Sequence, residues 1–137
     1  MNIVAIIQAR MGSTRLPGKV MREICERAMV LNVIDRVKRV KKINAVCLAC
    51  TDTSADDLLV SLVRRQSDVT IYGGSEHDVL DRYYQAAVMM EADVIIRITA
   101  DCPLISPQVI EKVLDTYLSC KDDIDYVSNT LERSYPH

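Results

Sequence analysis

The sequence predicts an α/β fold, a mainly parallel sheet covered by helices on both faces in three layers. Three observations carry that expectation. Four short apolar runs rich in β-branched residues, near 2–8, 45–51, 69–72 and 93–99, read as strands. Stretches of helical period separate them, and such alternation builds parallel sheets. No repeat, linker or low-complexity segment interrupts residues 1–137, so no domain boundary is expected.

The first strand, Ile3-Val4-Ala5-Ile6-Ile7, is continuously apolar, as in a strand buried on both faces. It leads into the loop Gln8–Lys19. Open α/β sheets place ligands at that end of their strands. The loop suits a polyphosphate. Gly12 and Gly18 let backbone N–H groups approach an anion without a Cβ in the way. Ser13 and Thr14 offer hydroxyl donors, Arg10 and Arg15 offer planar forks, and Lys19 adds a mobile point charge. A P-loop is excluded, because Gly12 and Gly18 are six apart and Val20 follows Lys19. The dinucleotide G-x-G-x-x-G fingerprint is also absent. A solvated basic turn is the plainer alternative. Three cations within ten residues of a buried strand weigh against it.

A helix is expected over Met29–Val40, with Val30, Val33, Ile34, Val37 and Val40 on one face. Lys41 and Lys42 then complement its negative end. The second strand, Ala45–Thr51, precedes a helix with Ser54 as N-cap and Asp56 and Asp57 in its first turn. That helix runs to about Gln66. Val69–Tyr72 is a third strand and Gly73-Gly74 a turn. Ser75–Asp78 starts the next helix in the same manner, carrying Val79 to Met90. The fourth strand, Val94–Thr99, is nearly all β-branched and reads as central. Ser106-Pro107 opens a helix with Ile110, Val113, Leu114 and Tyr117 as its buried stripe. Asp125–Ser128 reads as a short fifth strand.

Hydrophobic residues make up 49% of the chain, with no Phe or Trp, so Val, Ile, Leu, Met and Tyr must build the core. A formal charge of −2 gives no pull towards nucleic acid or acidic membranes. No apolar stretch is long enough to span a bilayer, and no signal peptide is visible. Cysteines 25, 47, 50, 102 and 120 read as reduced thiols, so a cytoplasmic location is expected. Cys47 and Cys50 have C-x-x-C spacing. On a strand, however, they point to opposite faces, and core packing is the better reading.

The stretch I-I-Q-A-R-M-G-S-T-R-L-P-G-K resembles the opening of the cytidylyltransferases that activate sugars as CMP conjugates, the acylneuraminate and 3-deoxy-manno-octulosonate types among them. It looks closest to the branch named for spore-coat polysaccharide biosynthesis. Gly74–Tyr84 and Arg97–Ile105 fit the same branch, so the likeness covers nearly the whole chain. It implies a Rossmann-like nucleotide-diphospho-sugar transferase fold, with 1–137 as the N-terminal, nucleotide-binding part of a single domain. It implies transfer of CMP from CTP to a sugar or sugar acid, with release of pyrophosphate and Mg²⁺ as cofactor. Family members continue past this length, where they supply a return strand, a second metal-binding aspartate and a dimer surface. Little CMP-sugar synthesis by these residues alone, and a homodimer, are therefore expectations too.

Asp101 follows a buried strand, where a carboxylate must be exposed or paired. From the residues alone it is equally a metal ligand or a turn residue ahead of Pro103. The resemblance favours the metal. It also gives Arg10, Arg15 and Lys19 to the phosphates, Ser13 and the Gly12 N–H to the turn that lines them, and Ala9 to the nucleotide. Thr51 would lie near base and ribose, and Thr99 near the nucleotide, although the octulosonate branch has Gln there. Arg82 is carried over as a nucleotide contact, against the alternative of a surface i,i+4 pair with Asp78. His77 reads as an exposed helix-start residue, and neither it nor His137 has a catalytic partner signal. Three alternatives stand beside this reading: a different base, a nucleotide-binding module without turnover, and an interaction subunit whose loop meets an acidic partner.

Overall fold

The computed structural model describes residues 1–130. Strand β1 (Ile3–Gln8) is followed by the long loop and a single 3₁₀ turn, Lys19–Met21. A small antiparallel hairpin, β2 (Glu23–Ile24) and β3 (Arg27–Ala28), leads into α1 (Met29–Val37). Then come β4 (Ala45–Thr51), α2 (Asp57–Gln66), β5 (Thr70–Gly74), α3 (Val79–Met89), β6 (Val94–Thr99) and α4 (Pro107–Cys120).

The main sheet is wholly parallel, in the order β5-β4-β1-β6. Parallel neighbours need crossovers, and α1, α2 and α3 supply them. Side chains alternate across the sheet. Ala5, Ile7, Leu48, Cys50 and Ile98 face α1, α2 and α4 in one apolar cluster. Val4, Ile6, Cys47 and Ala49 face α3, through Tyr83, Ala86 and Ala87, in a second. Cys47 and Cys50 therefore do lie on opposite faces. Burial pushes each thiol up to about 11. Among the described residues no helix is long and apolar enough to cross a membrane.

Five expectations need correction. Gly73-Gly74 is no turn, since both glycines extend β5 and pair with Cys50 and Thr51 of β4. Among the described residues β6 is an edge strand, paired with β1 and with no other strand. Ile95 is 48% exposed on its open face, so β-branched density reports strand propensity and says nothing about neighbours. Asp125–Ser128 forms no strand, since none of the described strands pairs with it. The second helix begins as a 3₁₀ turn, Ser54–Asp56, and Ser54 makes no capping bond. α3 is capped by Asp78, whose carboxylate accepts from Asp81 N–H at 2.9 Å. Ser75 instead accepts from Asp78 N–H at 3.0 Å. By contrast, Ser106 caps α4 as expected, with Pro107 in the first turn.

The hairpin was not expected at all. Its turn residues Cys25 and Glu26 both take the left-handed conformation, φ 52° and 62°, which a two-residue hairpin loop of this hand demands. Asn32 holds it against α1 by donating to the Arg27 carbonyl at 3.0 Å.

Candidate active site

Because β1 and β6 run parallel, their following loops open on the same edge of the sheet. The loops meet there. Lys19 Nζ donates to Asp101 Oδ2 at 2.9 Å, across 82 residues of sequence. The ammonium holds the Asp101 carboxyl below the usual carboxylate range, against a smaller opposing effect of burial. Asp101 remains 45% exposed and Lys19 29%, so both ends of the pair reach solvent.

The loop between them is wound around one residue, Met11. Its carbonyl accepts from Ser13 N–H and from Gly18 N–H, each at 2.9 Å. Its own N–H donates to Asp56 Oδ1 at 2.7 Å. Gly18 sits at φ 70°, where a Cβ is strained, so that corner favours glycine. The Ser13 hydroxyl accepts from Leu16 N–H at 3.3 Å, closing a smaller turn inside the loop. The N–H groups of Gly12, Thr14 and Arg15 donate to no acceptor among the described residues. Arg10 and Arg15 are exposed and pair with none of the described carboxylates. Exposed cations and unspent N–H donors at the mouth of a parallel sheet have the chemistry to receive an anion.

The expected site residues divide into two groups. Arg10, Gly12, Ser13, Arg15, Lys19, Thr99 and Asp101 lie on the two loops or at the strand end of this edge. Thr99 is exposed beside Asp101, with its hydroxyl 3.5 Å from Cys102 Sγ. Ala9, Thr51 and Arg82 are turned to internal work. Ala9 is buried, and its N–H extends the sheet by donating to Ala49 O at 3.1 Å. Thr51 is only 5% exposed, and its hydroxyl donates to Asp56 Oδ2 at 2.7 Å. Arg82 is fully buried, so it makes no surface pair with Asp78, and its guanidinium finds no acceptor among the described residues. His77 is exposed, and His137 lies outside the described residues.

Asp56 is the residue that sequence reasoning passed over. It was read as one acid of a helix start, yet it is 1% exposed. The signal was available in the spacing: Asp56, Leu59 and Val63 share one helical face, and the latter two are core. No group of three or more His, Cys, Asp or Glu that could hold a metal ion occurs among the described residues. Of the described residues only Asp101 would hold a metal here, so its other ligands would have to come from elsewhere.

Comparison with known proteins agrees with this architecture. A cytidylyltransferase family model matches residues 4–133. The spore coat polysaccharide biosynthesis protein SpsF of Bacillus subtilis is 33% identical over 93% of this chain and 55% of its own. A cytidylyltransferase structure from Leptospira borgpetersenii superposes with TM-score 0.81 at 34% identity, over 87% of this chain and 50% of that one. A CMP:2-keto-3-deoxy-manno-octonic acid synthetase complexed with CTP superposes with TM-score 0.72 at 27% identity, over 90% and 48%. The chain spans about half the length of the curated relatives it matches. The phosphate-suited loop on β1, the aspartate beyond β6 and the family match over most of the chain agree, and the chain belongs to the cytidylyltransferase family.

Proposed function

We propose that this chain binds CTP at the C-terminal edge of β1 and β6 and contributes that site to transfer of CMP onto a sugar acid. The observation that carries the reading is the Lys19–Asp101 contact, which joins the anion-binding loop to the only expected metal ligand. The unspent N–H groups of Gly12, Thr14 and Arg15 line the triphosphate, and Arg10, Arg15 and Lys19 neutralise it. Gly12 lets the phosphates approach closely, because it carries no Cβ and the nearest atom to that position is Glu76 Oε1, at 3.9 Å.

Asp101 fits Mg²⁺: its carboxylate is exposed and already holds a cation, the Lys19 ammonium, in that position. Bound Mg²⁺ would share its ligands with the phosphates and offset charge as pyrophosphate leaves. The chain's own part is positioning and charge neutralisation, with no covalent enzyme intermediate. Sugar acids are favoured because relatives named for 3-deoxy-manno-octulosonate and for 2-keto-3-deoxy-manno-octonic acid share this loop-bearing half of the fold. The cytoplasm suits five free thiols.

The test is calorimetry with CTP, UTP, ATP and GTP, with and without Mg²⁺. CTP should bind most tightly, and Mg²⁺ should tighten it in wild type and not in Asp101→Asn. Equal binding of all four nucleotides would remove the cytidylyl assignment, and no binding of any would remove the site.

A further inference from the structure

We propose that Asp56 is the positioning residue of the anion loop, fixing the loop's donors from behind without touching the ligand. The inference rests on the nucleotide reading above and adds a residue to it.

The geometry is that of a clamp. Asp56 Oδ1 accepts from Met11 N–H at 2.7 Å. Oδ2 accepts from Thr51 N–H at 2.8 Å and from the Thr51 hydroxyl at 2.7 Å. The carboxylate is buried, so it meets no solvent and no ligand. A buried carboxylate is costly unless its oxygens are satisfied, and here both are. The bonds reach two different strand ends. Met11 follows β1 and Thr51 ends β4, so one side chain ties both mouths together.

The consequence falls on the loop. Met11 is the post around which residues 11–18 turn, since its carbonyl takes both Ser13 and Gly18 N–H. Asp56 holds the Arg10–Met11 peptide by its N–H, and Ser13 and Gly18 hold the Met11–Gly12 peptide by its carbonyl, so the backbone is fixed on both sides of Met11. The N–H groups of Gly12, Thr14 and Arg15 are then presented together before any ligand arrives. Preorganised donors of this kind bind an anion without an ordering cost. Thr51, expected as a nucleotide contact, becomes part of the clamp.

The test compares Asp56→Asn with Asp57→Asn, using inorganic tripolyphosphate, CTP and cytidine as probes in calorimetry. Asparagine at 56 replaces one acceptor with a donor that opposes an N–H, whichever way its amide turns. Asp56→Asn should weaken tripolyphosphate and CTP about 10- to 50-fold and cytidine less than about twofold. Asp57→Asn removes the same charge from the exposed neighbouring residue, keeps the bond from Met11 to Asp56, and should change tripolyphosphate binding less than about threefold. A second measurement uses wild-type protein and covers the case in which Asp56→Asn fails to fold. The Met11 amide should be strongly protected from hydrogen exchange, and should stay so at saturating tripolyphosphate. Tripolyphosphate binding retained in Asp56→Asn, or a Met11 amide that exchanges freely or moves to the phosphate, overturns the positioning role alone. Wild-type protein that binds neither CTP nor tripolyphosphate overturns the nucleotide reading and the positioning role together.

Discussion

Replacing Lys19 by alanine separates what this side chain does for the fold from what it does for a ligand. In the folded chain its ammonium makes one ion pair, with Asp101, and both partners reach solvent. Such pairs contribute about 0–1 kcal/mol, so Lys19→Ala should lower unfolding free energy by less than about 1 kcal/mol. Towards a triphosphate the same ammonium makes charge-assisted hydrogen bonds, each about 1.5–3 kcal/mol. That range corresponds to roughly tenfold to 150-fold in dissociation constant. The upper half is expected, because losing Lys19 also leaves the Asp101 carboxylate uncompensated beside the phosphates. Urea unfolding measures the first quantity, and calorimetric titration with CTP and cytidine measures the second. Equal losses for CTP and cytidine would refute the assignment of Lys19 to phosphate. So would an unfolding loss as large as the binding loss.

Three further outcomes follow from individual residues. A Cβ at Gly12 meets nothing nearer than Glu76 Oε1 at 3.9 Å. Gly12→Val should therefore leave stability within about 0.5 kcal/mol while weakening CTP at least about tenfold, read by urea unfolding and calorimetry. Burial raises the Cys47 and Cys50 thiols to about 11, above their unfolded value, so the fold favours the neutral thiol. That contribution is complete below about pH 8.5 and is lost as pH rises towards the folded value, so unfolding free energy should fall between about pH 9 and 11. At neutral pH a thiol reagent should modify exposed Cys25 and Cys120 quickly and leave Cys47 and Cys50 until denaturant is added. The buried Arg82 guanidinium lacks an acceptor among the described residues, so Arg82→Met should keep or raise stability, by about 1 kcal/mol or more. A clear loss of stability in thermal or urea unfolding would show that Arg82 has a partner after all.

What could be read from sequence depended on how local the cause was. β1 and its loop were legible because an apolar run, two glycines and three cations are contiguous. The place of Asp101 on this edge was legible because a carboxylate directly after an apolar run is conspicuous in one dimension. The place of β6 was not, since β-branched residues favour any strand, and only β1 pairing decides that it lies at an edge. The hairpin escaped because Cys25 and Glu26 adopt left-handed backbone without the usual glycine or asparagine. Thr51 and Asp56 were misread for one reason: their partners are each other and Met11, 45 residues from Asp56 in the chain. For Arg82 the choice lay between a nucleotide contact and half of a surface pair, yet it lies four residues before buried Ala86 and shares its face. Helical spacing to known core residues was the usable signal for both Asp56 and Arg82.

The central claim is that the edge joining the loop after β1 to the loop after β6 receives a metal-bound nucleotide. Backbone amide mapping by nuclear magnetic resonance, during titration with CTP and Mg²⁺, tests it most directly. The expected result is a saturable set of shifts at Gly12 to Lys19 and at Thr99 to Asp101, lost for the nucleotide in Lys19→Ala. Shifts confined to the opposite edge, around Asn44 and Asp68, or no saturable shifts at all, would contradict it.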